Sequence, residues 1–224
     1  MNKNTNFILV VGNMDKNHIA AQKIYKTKFL DYQISSILNT YNRSKVFVVG
    51  SWSEDFKMQK IPRVKYIKYD TNDLSNIGLA INKSIKYISN SSLAIMNIEM
   101  FFDHKILSKL TMKNNTIIVN QNNKFCSKIG CTIENNKVSF IFYELENKVC
   151  EFVYIHKNSL DNFKQIIEDK VSNNMYLFEI LNILIENNIQ LDPCITNENI
   201  VHIYNNKDIN KIRKTLKRIK NVPV

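Results

Sequence analysis

The sequence lacks several patterns that would assign it to a specialised class. Its four cysteines form no CxxC pair, which argues against a zinc site and favours reduced thiols in a cytoplasmic protein. No apolar run is long enough to span a bilayer, and the first residues lead into an apolar strand without the organisation of a signal peptide. We therefore expect a cytoplasmic protein without a membrane span.

Glycine, proline and tryptophan are also scarce, with four, three and one copies among 224 residues. Asparagine, lysine and isoleucine are over-used instead, as expected for a gene from an AT-rich genome. The hydrophobic share of 44% and the charged share of 23% are ordinary for a soluble globular protein. The length suits one large domain, and we find neither an internal repeat nor a disordered linker. We expect residues 1–224 to form a single domain.

The chain carries few acidic residues relative to basic ones, and its formal net charge is +11. A basic balance favours anionic partners such as nucleotides. The basic residues are nevertheless spread along the chain, apart from one dense run over Lys207–Lys220. No basic segment carries interleaved aromatic residues that would stack on bases, so nucleic acid is not an expected partner. Assembly into a homo-oligomer is left open.

The first half of the chain alternates strand and helix patterns. Its continuous apolar runs predict buried strands, and its runs with apolar residues at helical spacing predict helices. The predicted order is β-α-β-β-α-β-α, which implies a mostly parallel sheet with helices on both faces. The predicted elements are Phe7–Gly12, Lys28–Tyr41, Lys45–Gly50, Val64–Tyr69, Ser75–Ser89, Ser92–Asn97 and Asp103–Leu110, with Asn13–Lys26 as a loop.

The second half has a different pattern. Two short alternating runs flank Asn135 and Asn136 and predict a hairpin, because asparagine tolerates positive φ. The remaining segments predict further strands and helices around this insertion. They are Thr116–Asn120, Ile129–Glu134, Lys137–Tyr143, Lys148–His156 and Ile200–Tyr204 as strands, and Asn158–Asp169, Met175–Asn187 and Lys207–Lys220 as helices.

The segment Ser92–Asp103 is the most informative part of the sequence. An apolar run there ends in a carboxylate, Glu99, and a second acidic residue follows at Asp103. A carboxylate beyond the carboxyl end of a buried parallel strand lies where α/β proteins bind ligands and metal ions. Glu99 is therefore a candidate metal ligand.

Several segments resemble nucleotidyltransferases with a GT-A-type α/β fold, a family that includes sugar-phosphate, choline-phosphate and molybdopterin nucleotidyltransferases. The helix start Lys26–Ile34 resembles the family pattern GKPLLEYQL, and Ile95–Asp103 resembles VLNGDVLFD. The hairpin Ile129–Val138 and the segment Val201–Ile209 resemble two later family patterns. The resemblance covers almost the whole chain and implies a Rossmann-like, three-layer fold with a mostly parallel sheet and a β-hairpin insertion.

The resemblance also implies a set of site residues. Gly12 and Asn13 would form a short phosphate loop, and Asn72 and Ser75 would lie near the base and sugar of a nucleotide. Lys23, favoured by its distance from Gly12, or Lys28 would stabilise the α-phosphate. Glu99 takes the place of the family's metal-binding aspartate, so the resemblance implies Mg²⁺ as the bound ion, with Mn²⁺ as an alternative. Tyr204 stands where a second metal-binding aspartate is expected, and His202 lies two residues before it.

Three hypotheses about function follow. The first is transfer of an NMP group from an NTP to a small phosphorylated acceptor, such as a sugar phosphate, with release of pyrophosphate. The second is a catalytically inactive nucleotide-binding or regulatory protein of the same fold, because the loop, the lysine and the second carboxylate all depart from the family pattern. The third is a GT-A glycosyltransferase using a nucleotide-sugar, against which the absence of an Asp-x-Asp triplet argues.

Overall fold

The computed structural model describes residues 4–14, 18–24, 26–54, 58–69, 77–88, 90–102, 107–108, 113–122, 127–198, 200–203, 207–210 and 212–213. The helices are α1 (Phe29–Thr40), α2 (Ile77–Ser84), α3 (Leu160–Lys170) and α4 (Leu177–Glu186). The strands are β1 (Thr5–Met14), β2 (Lys23–Ile24), β3 (Thr27–Lys28), β4 (Lys45–Trp52), β5 (Val64–Lys68), β6 (Ser92–Asn97), β7 (Met100–Phe101), β8 (Thr116–Asn120), β9 (Ile129–Glu134), β10 (Lys137–Tyr143), β11 (Asn147–Ile155), β12 (Asp192–Thr196) and β13 (Val201–His202).

Most of these strands form one nine-stranded sheet. Strands β5, β4, β1 and β6 are adjacent in that order and parallel. Strand β11 runs antiparallel to β8 on one side and, on the other side, to β6 and β9, which pair with different parts of it. Strand β12 continues the sheet parallel to β8, and β10 pairs with β9 at the opposite branch. The mostly parallel α/β sheet predicted from the sequence is confirmed.

Both faces of the sheet are covered by helices, as the three-layer prediction requires. The side chains of β1 alternate between two hydrophobic clusters: Phe7 and Leu9 lie in one, and Ile8 and Val10 in the other. The first cluster packs under α1, and the second packs under α2, α3 and α4. Because β1 is buried on both faces, its sequence is apolar at every one of these positions.

The first strand is longer than its sequence predicts. Pairing with β4 shifts between Val10 and Gly12, which makes a bulge, and then continues to Met14. Gly12 has a φ of 61°, a backbone conformation that glycine adopts without steric cost. The prediction that the strand ends at Gly12 was wrong because the parallel partner strand holds the chain extended beyond the bulge.

The segment predicted as the loop Asn13–Lys26 also contains regular structure. A 3₁₀ turn covers Ile19–Ala21, and β2 and β3 form a small antiparallel hairpin. Ile19, Ala20 and Ile24 are buried in the cluster under α1. The irregular spacing of these apolar residues hid their role, because it matches neither a helix nor a strand period.

The predicted hairpin is confirmed in its details. Strands β9 and β10 pair antiparallel around a two-residue turn, and Asn135 and Asn136 have φ values of 51° and 60°. These positive values are those that a two-residue hairpin turn requires. The sequence did not predict β12, where Pro193 argues against a strand. Strand β12 pairs only with β8, so the missing N–H of this proline costs no hydrogen bond inside the sheet.

None of the described helices is long and apolar enough to cross a membrane. Two further helices were predicted, over Asp103–Leu110 and Lys207–Lys220. The structure describes residues 107–108 of the first and residues 207–210 and 212–213 of the second, and these residues are helical. The rest of both segments lies outside the described residues, as does Tyr204.

Candidate functional site

A cleft of about 530 Å³ opens at the carboxyl edge of the parallel strands. Gly12 and Asn13 line it from β1, and Asn97 and Glu99 line it from the end of β6. Ligands of open α/β sheets bind at this edge, and the volume lies in the range of small-molecule sites. The cleft therefore contains three of the residues predicted from the sequence: Gly12, Asn13 and Glu99.

The floor of the cleft is fixed by hydrogen bonds around Asn97. Its side-chain amide donates to Glu151 Oε2 at 2.7 Å, and its side-chain oxygen accepts the backbone N–H of Glu99 at 3.0 Å. The backbone N–H of Ile98, which lies between Asn97 and Glu99, donates to the carbonyl of Val10 at 2.8 Å. Asn97 thus holds the turn after β6 against β1 and orients a neighbouring carboxylate at the same time.

Glu151 is a site residue that the sequence did not predict. It lies on β11, which runs antiparallel to β6 and brings position 151 opposite the end of that strand. Burial raises the pKa of Glu151, while the hydrogen bond from Asn97 lowers it. Burial and, secondly, repulsion from Glu151 raise the pKa of Glu99. Two carboxylates that interact in this way create a strongly anionic point in the cleft.

A sequence signal for Glu151 did exist. It is a single charged residue inside the apolar strand sequence VCEFVYI. A charge at an interior strand position usually has a partner or a function, because burying it alone is costly. Only the antiparallel pairing of β11 with β6 shows that it lies beside Glu99.

His202 also lines the cleft. Its strand, β13, pairs with β7, and the backbone N–H of Ile203 donates to the carbonyl of Glu99 at 2.8 Å. Burial lowers the pKa of His202 to about 4, an effect that Asp208 partly opposes. The imidazole is therefore neutral at physiological pH.

The two candidate lysines lie elsewhere. Lys23 and Lys28 are paired with each other across the β2–β3 hairpin, and neither is among the described residues that line the cleft. Lys23 is exposed, and its carbonyl accepts a hydrogen bond from Arg213 at 2.6 Å. A different cation, Lys128, does line the cleft. Asn72 and Ser75 lie outside the described residues.

The opposite wall of the cleft carries aromatic side chains from β10 and the start of α4. Tyr143, Tyr176 and Phe178 line the cleft, and Phe140 and Phe142 continue the cluster outside it. We call these five residues the aromatic rim. The sequence did not single them out, because they come from segments 33 or more residues apart that only the fold brings together.

Comparisons with known proteins find similarity in structure but not in sequence. No protein-family model matches the chain, and no curated protein is similar to it in sequence. Among the solved structures that match, three examples superpose on nearly its whole length. The inositol-1-phosphate CTP transferase from T. maritima has a TM-score of 0.75 at 11% identity and covers 98% of this chain and 97% of its own.

The other two examples also match nearly the whole chain. HddC from Yersinia pseudotuberculosis has a TM-score of 0.69 at 16% identity, covering 94% of this chain and 99% of its own. A putative glucose-1-phosphate thymidylyltransferase from Bacillus anthracis has a TM-score of 0.70 at 11% identity, covering 98% of each chain. The chain has a nucleotidyltransferase fold. This confirms, at the level of the fold, the resemblance predicted from the sequence.

The cleft gathers groups that can bind phosphate and a cation. It joins a bulged glycine segment, two carboxylates and one lysine around a single cavity. In the described part of the chain, no lysine or arginine forms an ion pair with Glu99 or Glu151. Their negative charge therefore favours a cation between them.

Proposed function

We propose that this protein is a nucleotidyltransferase that transfers an NMP group from an NTP to a small phosphorylated acceptor, such as a sugar phosphate. An oxygen of the acceptor phosphate attacks the α-phosphorus, the bond from this phosphorus to the bridging oxygen breaks, and pyrophosphate leaves. The observation that carries the proposal is the pair Glu99 and Glu151, which faces Gly12 and Asn13 across one cleft of a nucleotidyltransferase fold.

The two carboxylates fit a divalent cation. Each has a raised pKa, so a cation between them would relieve both burial and mutual repulsion. Among the described residues, no group of three or more histidine, cysteine, aspartate or glutamate side chains could hold a metal ion. Mg²⁺ in nucleotide sites is held by one or two carboxylates together with phosphates and water, which suits this pair. A bound Mg²⁺ or Mn²⁺ would neutralise charge on the triphosphate.

The remaining roles belong to the chain itself. Gly12 and Asn13 would hold the triphosphate through backbone N–H groups at the bulge. Asn72 and Ser75 would contact the base and sugar, as the family resemblance implies. The assignment of the α-phosphate contact to Lys23 or Lys28 stays a prediction. We further propose that residues 1–224 form one domain, since both core clusters share one sheet.

The test is a panel of the four NTPs with Mg²⁺ or Mn²⁺ and a set of phosphorylated sugars and alcohols, read by pyrophosphate release. We expect one NTP and one acceptor to give release that Glu99→Gln and Glu151→Gln each reduce by about a hundredfold or more. The acceptor-free reaction is the control for simple NTP hydrolysis. A nucleotide-sugar in the same panel tests the glycosyltransferase hypothesis.

A second candidate function is nucleotide binding without transfer. The exposed position of Lys23 and its absence from the described cleft lining favour this candidate. In that case an NTP would raise the melting temperature, no acceptor would cause pyrophosphate release, and Glu99→Gln would leave any regulatory activity intact. The three free thiols of the described chain, at Cys131, Cys150 and Cys194, support our proposal that either function is exercised in the cytoplasm.

A further inference from the structure

Among the described residues, four of the six exposed large hydrophobic side chains belong to the aromatic rim, which the transfer reaction described above does not use. Phe140 and Phe142 are each 47% exposed, Tyr143 is 43% exposed and Tyr176 is 53% exposed. Side chains of this size are seldom left in water as a contiguous group unless they bind something. Three of the five rings line the cleft, so the feature is continuous with the candidate active site.

The rings are held in a defined arrangement around Phe178. Tyr143 packs edge-on against it at 5.2 Å between ring centroids, and Phe142 does so at 6.0 Å. Tyr176 stacks on its other side at 6.0 Å with only 13° between the ring planes. The cluster therefore presents ring faces at fixed angles, which can receive a flat or apolar group without reordering many side chains.

The backbone that carries the rings is also fixed. The side chain of Asn182, on α4, accepts the backbone N–H of Ile141 at 3.0 Å and donates to its carbonyl at 2.8 Å. This double hydrogen bond ties the edge strand β10 to the helix that carries Phe178. A site built on a strand and a helix linked in this way is more rigid than one built on loops.

A cation lies at the same end of the hairpin. The carbonyl of Lys128 accepts the backbone N–H of Glu144 at 2.7 Å, and Tyr143 pairs with Ile129, the residue after Lys128. The exposed Lys128 thus lines the cleft beside Tyr143. An ammonium group next to aromatic rings suits a molecule with a phosphate at one end and an apolar group at the other.

We infer that the aromatic rim is a specificity-determining part of the acceptor site, selecting a phosphorylated acceptor that carries a planar or apolar group. Lys128 binds the acceptor phosphate, and the faces of Tyr143, Tyr176 and Phe178 bind the group attached to it. Calling the bound molecule an acceptor rests on the proposed function, but its binding can be measured without any transfer. Phe140 and Phe142 support the rings from outside the cleft.

The experiment compares two probes, phenyl phosphate and methyl phosphate, in ligand-observed NMR titrations without NTP. Both probes present the same phosphate, so the ratio of their dissociation constants isolates the contact with the ring. We expect phenyl phosphate to bind about tenfold more tightly, because its extra carbons leave water. Saturation transfer between tyrosine ring protons and phenyl protons tests the same contact in the wild-type protein.

The variants separate the two contacts. Replacing Tyr143 and Tyr176 together by alanine should bring the ratio close to one, whereas Tyr143→Phe should keep it. Lys128→Gln should weaken both probes by the same factor. Tyr87→Ala, an exposed ring outside both the cleft and the aromatic rim, and Lys113→Gln, an exposed lysine outside the cleft, are the matched controls and should change neither dissociation constant.

Equal affinities of the two probes for the wild-type protein, or a ratio that survives the double alanine variant, would overturn the inference. If the protein releases pyrophosphate but the KM for the acceptor is the same in these variants as in the wild type, the inference is overturned and the proposed function stands. Conversely, the expected ratios without any pyrophosphate release would support the binding site and reject transferase activity.

Discussion

The two walls of the cleft are built by opposite means. On the β1 side, the strands are buried on both faces, and Gly50 packs so closely against the backbone of Gly12 that a Cβ has no room. On the side of β10 and α4, four large rings stand partly in water around Phe178, which itself packs against the core. The first wall has little freedom to change its residues, whereas the exposed rings of the second can change with less effect on the core.

Under the proposed function, this difference separates two tasks: binding the triphosphate and choosing the acceptor. Holding a triphosphate requires fixed backbone geometry, which tight packing supplies. Choosing an acceptor requires particular side chains, which the half-exposed hairpin and helix end can vary at little cost to stability. The predictions below test this division, starting with the largest expected effect.

A pair of phenylalanines compares the core with the rim directly. Phe102 is fully buried and packs edge-on against Phe152 at 5.6 Å, whereas Phe142 is 47% exposed. We expect Phe102→Ala to lower the free energy of unfolding by about 3–5 kcal/mol. Phe142→Ala should cost about 1 kcal/mol, since half of its surface stays in water. Urea unfolding measures both, and equal costs would contradict the division.

Gly50 tests the close packing of β1 against β4. An added Cβ at this position would lie 2.5 Å from Val11 Cγ2 and 2.6 Å from the carbonyl oxygen of Gly12. The oxygen belongs to the backbone and cannot rotate away, so we expect Gly50→Ala to cost about 1–3 kcal/mol. It should also weaken NTP binding, because the displaced residue is Gly12. Unchanged stability would show that the bulge has room to move.

Gly12 tests the backbone conformation at the bulge. Its φ of 61° is a left-handed value, which alanine adopts at a cost of about 1–2 kcal/mol and asparagine at a lower cost. Gly12→Ala should therefore destabilise the protein more than Gly12→Asn does. The comparison is made by urea unfolding, and the reverse order would mean that side-chain space, rather than φ, limits this position.

The pH dependence of stability tests the carboxylate pair. The pKa of Glu99 is raised above its ordinary value of 4.5, so the folded state holds this proton more tightly than the unfolded chain does. This contribution to stability is present below about pH 4.5 and is lost as the pH rises through the raised pKa. In metal-free protein, the melting temperature of the wild type should thus fall more than that of Glu99→Gln when the pH rises from about 5 to about 8.

His202 contributes with the opposite sign, because its lowered pKa of about 4 makes its contribution disappear as the pH falls. The wild type and the variant share this histidine, so it does not contribute to the difference between them. Adding Mn²⁺ or Mg²⁺ at about pH 8 should raise the melting temperature of the wild type more than that of the variant. An equal rise in both would remove Glu99 from the metal site.

Much of the fold was predictable because burial leaves a clear mark on sequence. The continuous apolar runs of β1, β4 and β6 predicted parallel strands, and Asn135 and Asn136 predicted the hairpin turn. Strand β12 escaped prediction because Pro193 is tolerated only at the particular sheet position it occupies. The sequence could not single out which lysine faces the cleft, because a charged surface residue looks the same in sequence whether or not it does so.

The sequence by itself determined most of the strands and helices, and it marked Glu99 as the carboxylate at the end of a buried strand. Periodicity and burial are local properties, so they can be read along the chain. Only the tertiary structure decided that Glu151, Lys128 and the aromatic rim lie around the same cleft. Their proximity depends on the antiparallel strand β11 and on the packing of α4 against β10, which bring distant segments together without leaving any local pattern.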